Sequence, residues 1–135
     1  MDYNGETMKQ ISVQTKSRSE FVDITRQVQA AIDGLGLKDG AVTVFVPHTT
    51  AGITINEHAD PDVVSDIMTV LDRVVPWSAD YRHGEGNSAA HVKAGLMGSS
   101  VRVIVSGGRL ALGTWQGIFF CEFDGPRRRE VWVQG

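Results

Sequence analysis

The sequence predicts an α+β fold with a mixed, largely antiparallel sheet and about three helices. The predicted elements run in the order β, α, β, β, α, α and then several β. Strands that follow one another without an intervening helix favour this class over a doubly wound parallel sheet. The 135 residues are 41% hydrophobic and 21% charged, and no repeat or Pro/Ser-rich linker divides them. We therefore expect a single domain over 1–135.

The amino-terminal part supplies a strand, a short apolar segment and a helix. Residues 1–7 are polar and aperiodic, so we expect a flexible end there. Residues 9–14 are typical of a short strand, and 21–25 is either its hairpin partner or the lead into a helix. From Thr25 the apolar positions recur at intervals of three and four, and two glycines then end the pattern at 34–36. This spacing predicts an amphipathic helix with a glycine C-cap.

The middle of the chain is predicted to form a hairpin and a second helix. Residues 41–47 are β-branched and aromatic, as in a mostly buried strand, and 53–56 alternates apolar with polar side chains. Asp60 can cap a helix whose first residue is Pro61, and apolar residues at helical spacing continue to Val74.

A long polar loop, a third helix and four strands are predicted for the remainder. The loop at 76–86 is longer than a mere connection needs, and loops of that length often carry function. Asn87 or Ser88 can cap a helix that ends at Gly98. The predicted strands, which Gly-containing turn signals separate, are 101–105, 109–114, 117–123 and 129–134.

Charge and cysteine content exclude several classes of function. Thirteen basic residues stand against 16 acidic ones, so no global basic field attracts nucleic acid or a membrane surface. The longest apolar run, 118–121, is far shorter than the roughly 20 residues of a membrane helix. A single cysteine, Cys121, argues against a disulfide framework and for a reducing compartment, so we expect a cytoplasmic protein. Its apolar strand predicts an inert core thiol.

Four histidines are the first candidates for chemistry. We expect His48 at a strand end, His83 in the long loop and His91 in the first turn of a helix, where the helix dipole favours a neutral imidazole. Three neutral imidazoles can bind zinc or another divalent metal, but no H-x-x-x-H or C-x-x-C spacing supports this, so acid–base work stays equally open. His58 precedes a helix cap and is predicted to lie on the surface.

A carboxylate and several cations extend the candidate site. Asn56 and Glu57 end the hairpin that also carries His48, so Glu57 either orients an imidazole, acts as a general base or is a solvated strand end. Lys93 opposes the dipole at a helix start, so it either binds a phosphate or is simply an exposed lysine. Alternation along the last strand predicts Arg127 and Arg129 on one face, as a phosphate clamp or an edge that discourages aggregation.

A set of short motifs covers the chain from about residue 40 to its end. They are Val46-Pro47-His48-Thr49-Thr50-Ala51-Gly52, Thr54-Ile55-Asn56-Glu57, Ala59-Asp60-Pro61-Asp62-Val63, Tyr81-Arg82-His83, Glu85-Gly86-Asn87 with Ala90-His91-Val92-Lys93, Gly113-Thr114-Trp115-Gln116-Gly117, and Glu122-Phe123-Asp124-Gly125-Pro126-Arg127. In this order, the motifs resemble those of the secondary thiamine-phosphate synthase family, the small YjbQ-like proteins.

The resemblance implies both an assembly and an activity. The family's α+β domain usually forms a homotrimer, with a pocket around the histidines that match His48, His83 and His91. The implied transferase reaction is a modest thiamine-phosphate synthase activity, which joins an aminopyrimidine diphosphate to a thiazole phosphate and releases diphosphate. The residues expected to serve this pocket are His48, His83, His91, Asn56 and Glu57 for catalysis, and Lys93, Arg127, Thr49, Thr50 and Arg82 for substrate phosphates.

Two other classes of function remain open from the sequence. A three-histidine metal hydrolase of a phosphorylated small molecule would use Glu57 or Glu85 as its base. A trimer that binds a phosphorylated metabolite without turnover would be stabilised by its ligand and would show no catalysis.

Overall fold

Two antiparallel sheets and three helices make up the part of the chain that the structure describes. This structure is a computed structural model that describes residues 7–135, so nearly all of the segment predicted to be flexible, 1–7, lies outside it. The elements are β1 (Met8–Gln14), β2 (Glu20–Asp23), α1 (Thr25–Leu35), β3 (Gly40–Phe45), β4 (Ala51–Glu57), α2 (Pro61–Val74), α3 (Ser88–Met97), β5 (Ser100–Ser106), β6 (Arg109–Leu110), β7 (Gln116–Glu122) and β8 (Arg128–Gln134).

The strands form a five-stranded sheet in the order β1-β8-β3-β5-β6 and a three-stranded sheet in the order β2-β7-β4. Each pair of neighbouring strands in these sheets is antiparallel. The predicted α+β class and antiparallel pairing are therefore confirmed. The predicted hairpin of β3 with β4 is wrong, because the two strands lie in different sheets. β2 pairs with β7 instead of β1, so the segment at 21–25 leads into α1.

The main core lies between the two sheets and under α1. Alternate side chains of the five-stranded sheet point inward, so Val131 and Val133 of β8 are fully buried while Glu130 and Gln134 are exposed. Helix α1 closes this core with one apolar stripe, formed by Val28, Ala31, Ile32 and Leu35. Gly36 ends the helix with φ of 69°, as the predicted glycine C-cap requires.

A second core lies on the other face of the three-stranded sheet. Helices α2 and α3 cover this face, where Phe119, Cys121 and Phe123 pack against Leu71 and Ala94. Because β7 is buried on both faces, it is a continuous apolar run without alternation. Cys121 is buried as predicted, and desolvation raises the pKa of its thiol.

The capping residues in the sequence predicted the start of α2 correctly, whereas the glycine signal near residue 116 predicted a turn that does not form. Asp60 caps α2 by accepting a hydrogen bond from the Asp62 amide at 2.9 Å, and Pro61 is the first helical residue. One of the Gly-containing turn signals, Gln116-Gly117 between the predicted strands 109–114 and 117–123, is wrong as a turn, since both residues begin β7. Gly117 is there because the His58 ring lies against it, and a Cβ would come within 2.4 Å of His58 Nδ1.

The predicted strand at 109–114 is reduced to the two residues of β6. In residues 7–135, no helix has both the length and the apolar character that a membrane crossing would require.

Gly52 lets β4 approach the end of α3, which we expect to be sensitive to one added methyl group. A Cβ on Gly52 would lie 2.8 Å from the Gly98 carbonyl oxygen and 2.9 Å from Met97 Cβ. We expect Gly52→Ala to lower the free energy of unfolding by about 1–3 kcal/mol in urea titrations. Gly95→Ala is the matched control, because it adds the same methyl in open space within α3 and should stabilise the protein by about 1 kcal/mol. Equal effects of the two variants would contradict the tight approach.

Candidate functional site

A polar cavity of about 720 Å³ brings the three predicted histidines together. The end of β3 and the following loop form one wall, and the start of α3 with the loop before it forms another. The connection from β7 to β8 closes the cavity. The lining residues are Phe45, Val46, Pro47, His48, Thr49, Thr50, His83, Glu85, Asn87, His91, Ser99, Asp124, Arg127 and Arg129.

His48 is oriented by the backbone of β8. The pairing of β3 with β8 ends at Phe45 and Trp132. Beyond this point no backbone carbonyl of β3 accepts a hydrogen bond from the Glu130 amide. The Glu130 amide instead donates to His48 Nε2 at 2.9 Å. Because Nε2 must present a lone pair to this N–H, the ring proton of a neutral His48 belongs on Nδ1.

The electrostatic surroundings of His48 favour this neutral form. Burial lowers the pKa of His48, and the positive charge of Arg129 lowers it further. The carboxylates of Glu130 and Glu122 act in the opposite direction without reversing the shift. His48 is thus a hydrogen-bond donor through Nδ1 at neutral pH.

His83 and His91 lie next to each other on the wall that α3 and the preceding loop form. Their ring centroids are 5.4 Å apart and their planes are perpendicular. His91 lies in the first turn of α3, as predicted, and His83 is in the loop before that helix. The exposed Glu85 carboxylate is 4.0 Å from His83 Nε2. These two imidazoles and the Glu85 carboxylate line the same side of the pocket.

The histidines do not fit a shared metal ion in this arrangement. In residues 7–135, no group of three or more His, Cys, Asp or Glu side chains has the geometry to hold a metal. The reason is clearest at His48, whose Nε2 lone pair is taken by the Glu130 amide and whose Nδ1 carries the proton. A zinc ligand needs a free imidazole lone pair, so the hypothesis of zinc or magnesium on His48, His83 and His91 lacks its third ligand.

Asp124 organises the cavity floor. Its carboxylate Oδ2 accepts hydrogen bonds from Asn87 Nδ2 at 2.8 Å and from an Arg127 terminal nitrogen at 3.1 Å. Arg127 Nε also donates to the Asp124 carbonyl at 2.9 Å. Asn87 occupies the N-cap position of α3 as predicted, but its side chain binds Asp124 instead of capping the helix. Arg127 is therefore held at the cavity, and its side chain is about half exposed, at 49%.

A buried ion pair behind the cavity is the feature that sequence reasoning missed. Arg129 is 3% exposed and forms two parallel hydrogen bonds to Glu122, which is fully buried, with Nε donating to Oε1 at 2.8 Å. The Thr15 hydroxyl and the Asp124 amide also donate to the Glu122 carboxylate. Burial raises the pKa of Glu122, but these hydrogen bonds outweigh burial and lower it. The signal for this pair in the sequence was Glu122, a charged residue between the apolar run 118–121 and Phe123.

The two threonines predicted to contact phosphate both line the cavity, in different states. Thr49 is exposed, whereas Thr50 is buried and its hydroxyl accepts a hydrogen bond from Arg129 at 2.8 Å. Arg127 and Arg129 line the cavity and Arg128 does not, in line with the predicted alternation.

Four predicted site residues lie elsewhere. Asn56 and Glu57 stand at the end of β4 that is opposite to the His48 loop, roughly 20 Å away along the strand. There Glu57 accepts a hydrogen bond from the Asp60 amide at 3.1 Å. Their predicted proximity to His48 rested on a hairpin that does not form. Arg82, in the loop beside His83, and Lys93 do not line the cavity either.

Lys93 ties α3 to α2 instead of facing a ligand. Its side chain is 4% exposed and its ammonium is 2.5 Å from the Asp72 carboxylate, which is 67% exposed. We expect Asp72→Ala to cost about 1–3 kcal/mol in unfolding free energy, because it leaves a buried ammonium unpaired. Lys93→Met should cost less, since the Asp72 left behind is solvated. A phosphate role for Lys93 would instead require Lys93→Met to weaken ligand binding at unchanged stability.

His58 lies at the surface, away from the cavity, as predicted. Its Nδ1 is 2.9 Å from Asp23 Oδ2. Burial raises the pKa of Asp23, but hydrogen bonds from Thr25 and the contact with His58 lower it by more. This pair links β2 to the end of β4. Because His58 lies outside the cavity, its substitution is a control for substitutions of the cavity histidines.

Comparison with known proteins supports the motif resemblance. A family model described as UPF0047 protein YjbQ-like matches residues 9–135. The UPF0047 protein YugU of Bacillus subtilis is 52% identical over 128 residues, which make up 94% of this chain and 97% of YugU. A UPF0047 protein of Methanocaldococcus jannaschii is also 52% identical, over 90% of this chain and 88% of its own.

Solved structures of the same group share the fold. A YjbQ/UPF0047 protein of Clostridium acetobutylicum superposes with a TM-score of 0.91 at 57% identity, over 93% of this chain and 98% of the other. A protein of unknown function from Sulfolobus solfataricus superposes with a TM-score of 0.89 at 37% identity, over 93% of each chain. The thiamine-phosphate synthase activity stays a prediction. The agreement of sequence, motifs and fold shows that the chain belongs to the YjbQ-like UPF0047 family.

Proposed function

We propose that this protein binds a phosphorylated small molecule in the histidine cavity and acts there as a thiamine-phosphate synthase. The observation that carries the proposal is the convergence of three histidines and one half-exposed arginine on a single cavity of about 720 Å³. Cavities of roughly 300–1,000 Å³ suit small-molecule ligands. The walls offer hydrogen-bond donors, which suit a ligand rich in acceptor oxygens.

Arg127 is the group best suited to a phosphate. A guanidinium has five N–H donors, and Asp124 occupies only some of them. Because Asp124 also holds the side chain in place, the remaining N–H groups are pre-oriented and less rotamer entropy is lost when a phosphate binds. The Nδ1–H of His48 adds a neutral donor on the facing wall.

The proposed reaction needs stabilisation of a leaving group. The thiazole nitrogen supplies the electron pair of the new C–N bond, and the C–O bond to diphosphate breaks with its electron pair on the departing oxygen. Arg127 stabilises the charge that develops on this oxygen. His83 or His91, when protonated, donates a proton to it, as general acid catalysis requires.

Cytoplasmic location and a homotrimeric state belong to the same proposal. A chain whose one cysteine is a buried thiol needs no oxidising compartment. Exposed apolar side chains, including Ile104 and Trp115, offer surface for association between copies. Light scattering should then give a mass three times the 14.7 kDa of the chain. A monomer at micromolar concentration would contradict the trimer.

The decisive experiment is turnover of the two phosphorylated precursors by purified protein. We expect thiamine phosphate and diphosphate to form in equal amounts, and formation to require both precursors. A zinc chelator should leave the rate unchanged, because His48 does not present a free lone pair to a metal. Arg127→Met should raise KM for the diphosphate substrate by about tenfold or more. Absence of product at high protein concentration would overturn the synthase proposal.

A further inference from the structure

The buried pair Glu122–Arg129 lies directly behind the wall that carries His48. Arg129 precedes Glu130, whose amide holds His48 Nε2. The same guanidinium donates to the hydroxyl of Thr50 at 2.8 Å and to its carbonyl at 3.3 Å. The segment His48–Thr50 is thus attached to β8 at both ends, at Thr50 by the Arg129 side chain and at His48 by the backbone amide of the next residue, Glu130.

Glu122 in turn determines where Arg129 lies. The carboxylate is fully buried in β7 and takes both parallel hydrogen bonds of the guanidinium. Thr15 donates its hydroxyl proton to Glu122 Oε1 at 2.8 Å and accepts a hydrogen bond from the Arg127 amide at 2.9 Å, which continues the network to the phosphate-binding candidate. A fully hydrogen-bonded buried network of this kind admits few alternative geometries.

We propose that Glu122 and Arg129 are positioning residues that hold the His48 ring with its proton on Nδ1, so that His48 serves the cavity as a hydrogen-bond donor. Neither residue needs to touch the ligand. Arg129 acts through the Glu130 amide and Thr50, and Glu122 acts through Arg129. The inference rests on the proposed function in taking this cavity as the ligand site, and it assigns His48 to an acceptor group of the ligand, such as a phosphate oxygen.

The charges around His48 predict how each substitution changes its titration. Arg129 lowers the pKa of His48, while Glu122 and Glu130 raise it. The ionisable groups facing it from the other elements are His83, Glu85 and His91 from the α3 wall, and Asp124 and Arg127 from the connection between β7 and β8. These do not change between the variants, so differences in the His48 pKa report the pair itself.

The test is nitrogen-15 and proton NMR of the histidine rings across a pH titration, with His48→Gln used to assign the His48 signals. In the wild-type protein we expect the Nδ1–H tautomer and a His48 pKa below the ordinary value of 6.5 for histidine. Arg129→Met should raise this pKa, because a buried positive charge is removed and Glu122 remains. Glu122→Gln should lower it. Shifts of both variants in the same direction, or an Nε2–H tautomer in the wild type, would overturn the proposal.

If Arg129→Met does not fold, Arg129→Lys is the second variant that tests the proposal. Lysine keeps the charge but cannot form the two parallel hydrogen bonds. We therefore expect the His48 pKa to stay low while the fraction of the Nδ1–H tautomer falls. A tautomer ratio unchanged from the wild type would show that the guanidinium geometry does not position the ring.

A kinetic measurement separates this proposal from the proposed function. If the wild type forms thiamine phosphate, Arg129→Lys should lower kcat/KM by about tenfold or more and shift the pH profile, as loss of supporting hydrogen bonds does at other sites. If the wild type forms none, the synthase proposal fails. The NMR result still supports or overturns the positioning role, because it requires no ligand.

Discussion

Replacing Arg129 by methionine is expected to lower the free energy of unfolding by about 3–5 kcal/mol. The substitution leaves the Glu122 carboxylate fully buried without its cation, and an uncompensated buried charge is among the most costly single changes in a protein. For a chain of this size the loss corresponds to a decrease in Tm on the order of 10–20 °C. Calorimetry and urea titration at pH 7 measure it directly.

The double variant Glu122→Met with Arg129→Met is the matched control. It removes both charges together and replaces them by apolar groups of comparable length, which is often neutral or stabilising. We expect it to recover most of the lost stability while leaving His48 without its positioning network. If the double variant were as unstable as Arg129→Met, packing volume and not the unpaired carboxylate would be the cause.

The same pair predicts how stability depends on pH. The pKa of Glu122 is lower in the folded protein than its ordinary value of 4.5, so its contribution is fully present above that value. The contribution is lost as pH falls from about 4.5 through the lower folded value. In Glu122→Gln the unfolding free energy should therefore decrease less between pH 5 and pH 3 than in the wild type. An identical slope would contradict the ion pair.

Replacing His91 by alanine is expected to reduce thiamine-phosphate formation by about 10²–10⁴-fold. General acid catalysis contributes on that order, and His91 is one of the two cavity imidazoles proposed as the proton donor. The His83 ring centroid is 5.4 Å from that of His91, and we expect His83 not to replace it fully as the proton donor. The measurement is kcat/KM for both precursors across pH, with thermal unfolding recorded on the same samples.

His58→Ala is the control for this prediction. His58 is paired with Asp23 at the far end of β4 and does not line the cavity. We expect its activity to stay within twofold of the wild type, about 0.4 kcal/mol in the barrier. A comparable loss of activity in both variants would mean that the histidine cavity is not where the reaction occurs.

Much of the site was predictable because local rules determine it. The N-cap at Asp60, the glycine cap after α1 and the position of His91 in the first turn of α3 follow from short-range hydrogen bonding and dihedral preference. Motif resemblance placed His48, His83 and Arg127 at one pocket, and the structure brings them to the same cavity.

The errors at Glu57 and Lys93 share one physical cause, which is that strand pairing and helix packing are non-local. Glu57 was predicted near His48 because two consecutive strands were taken as a hairpin, whereas the chain crosses from one sheet to the other between them. Lys93 was expected to face a ligand because of the helix dipole, but the tertiary fold buries it against Asp72. A sequence pattern of a few residues does not determine which distant strand or helix will pack against the element that it forms.

By itself, the sequence determined the α+β class, the helix ends, the buried cysteine and the family, since each depends on local periodicity, capping or motif order. Only the tertiary structure decided that Glu122 and Arg129 form a buried pair and that the Glu130 amide holds His48. These contacts join residues 7 and 82 positions apart. Their energies depend on burial, and burial exists only once both sheets and the covering helices have come together.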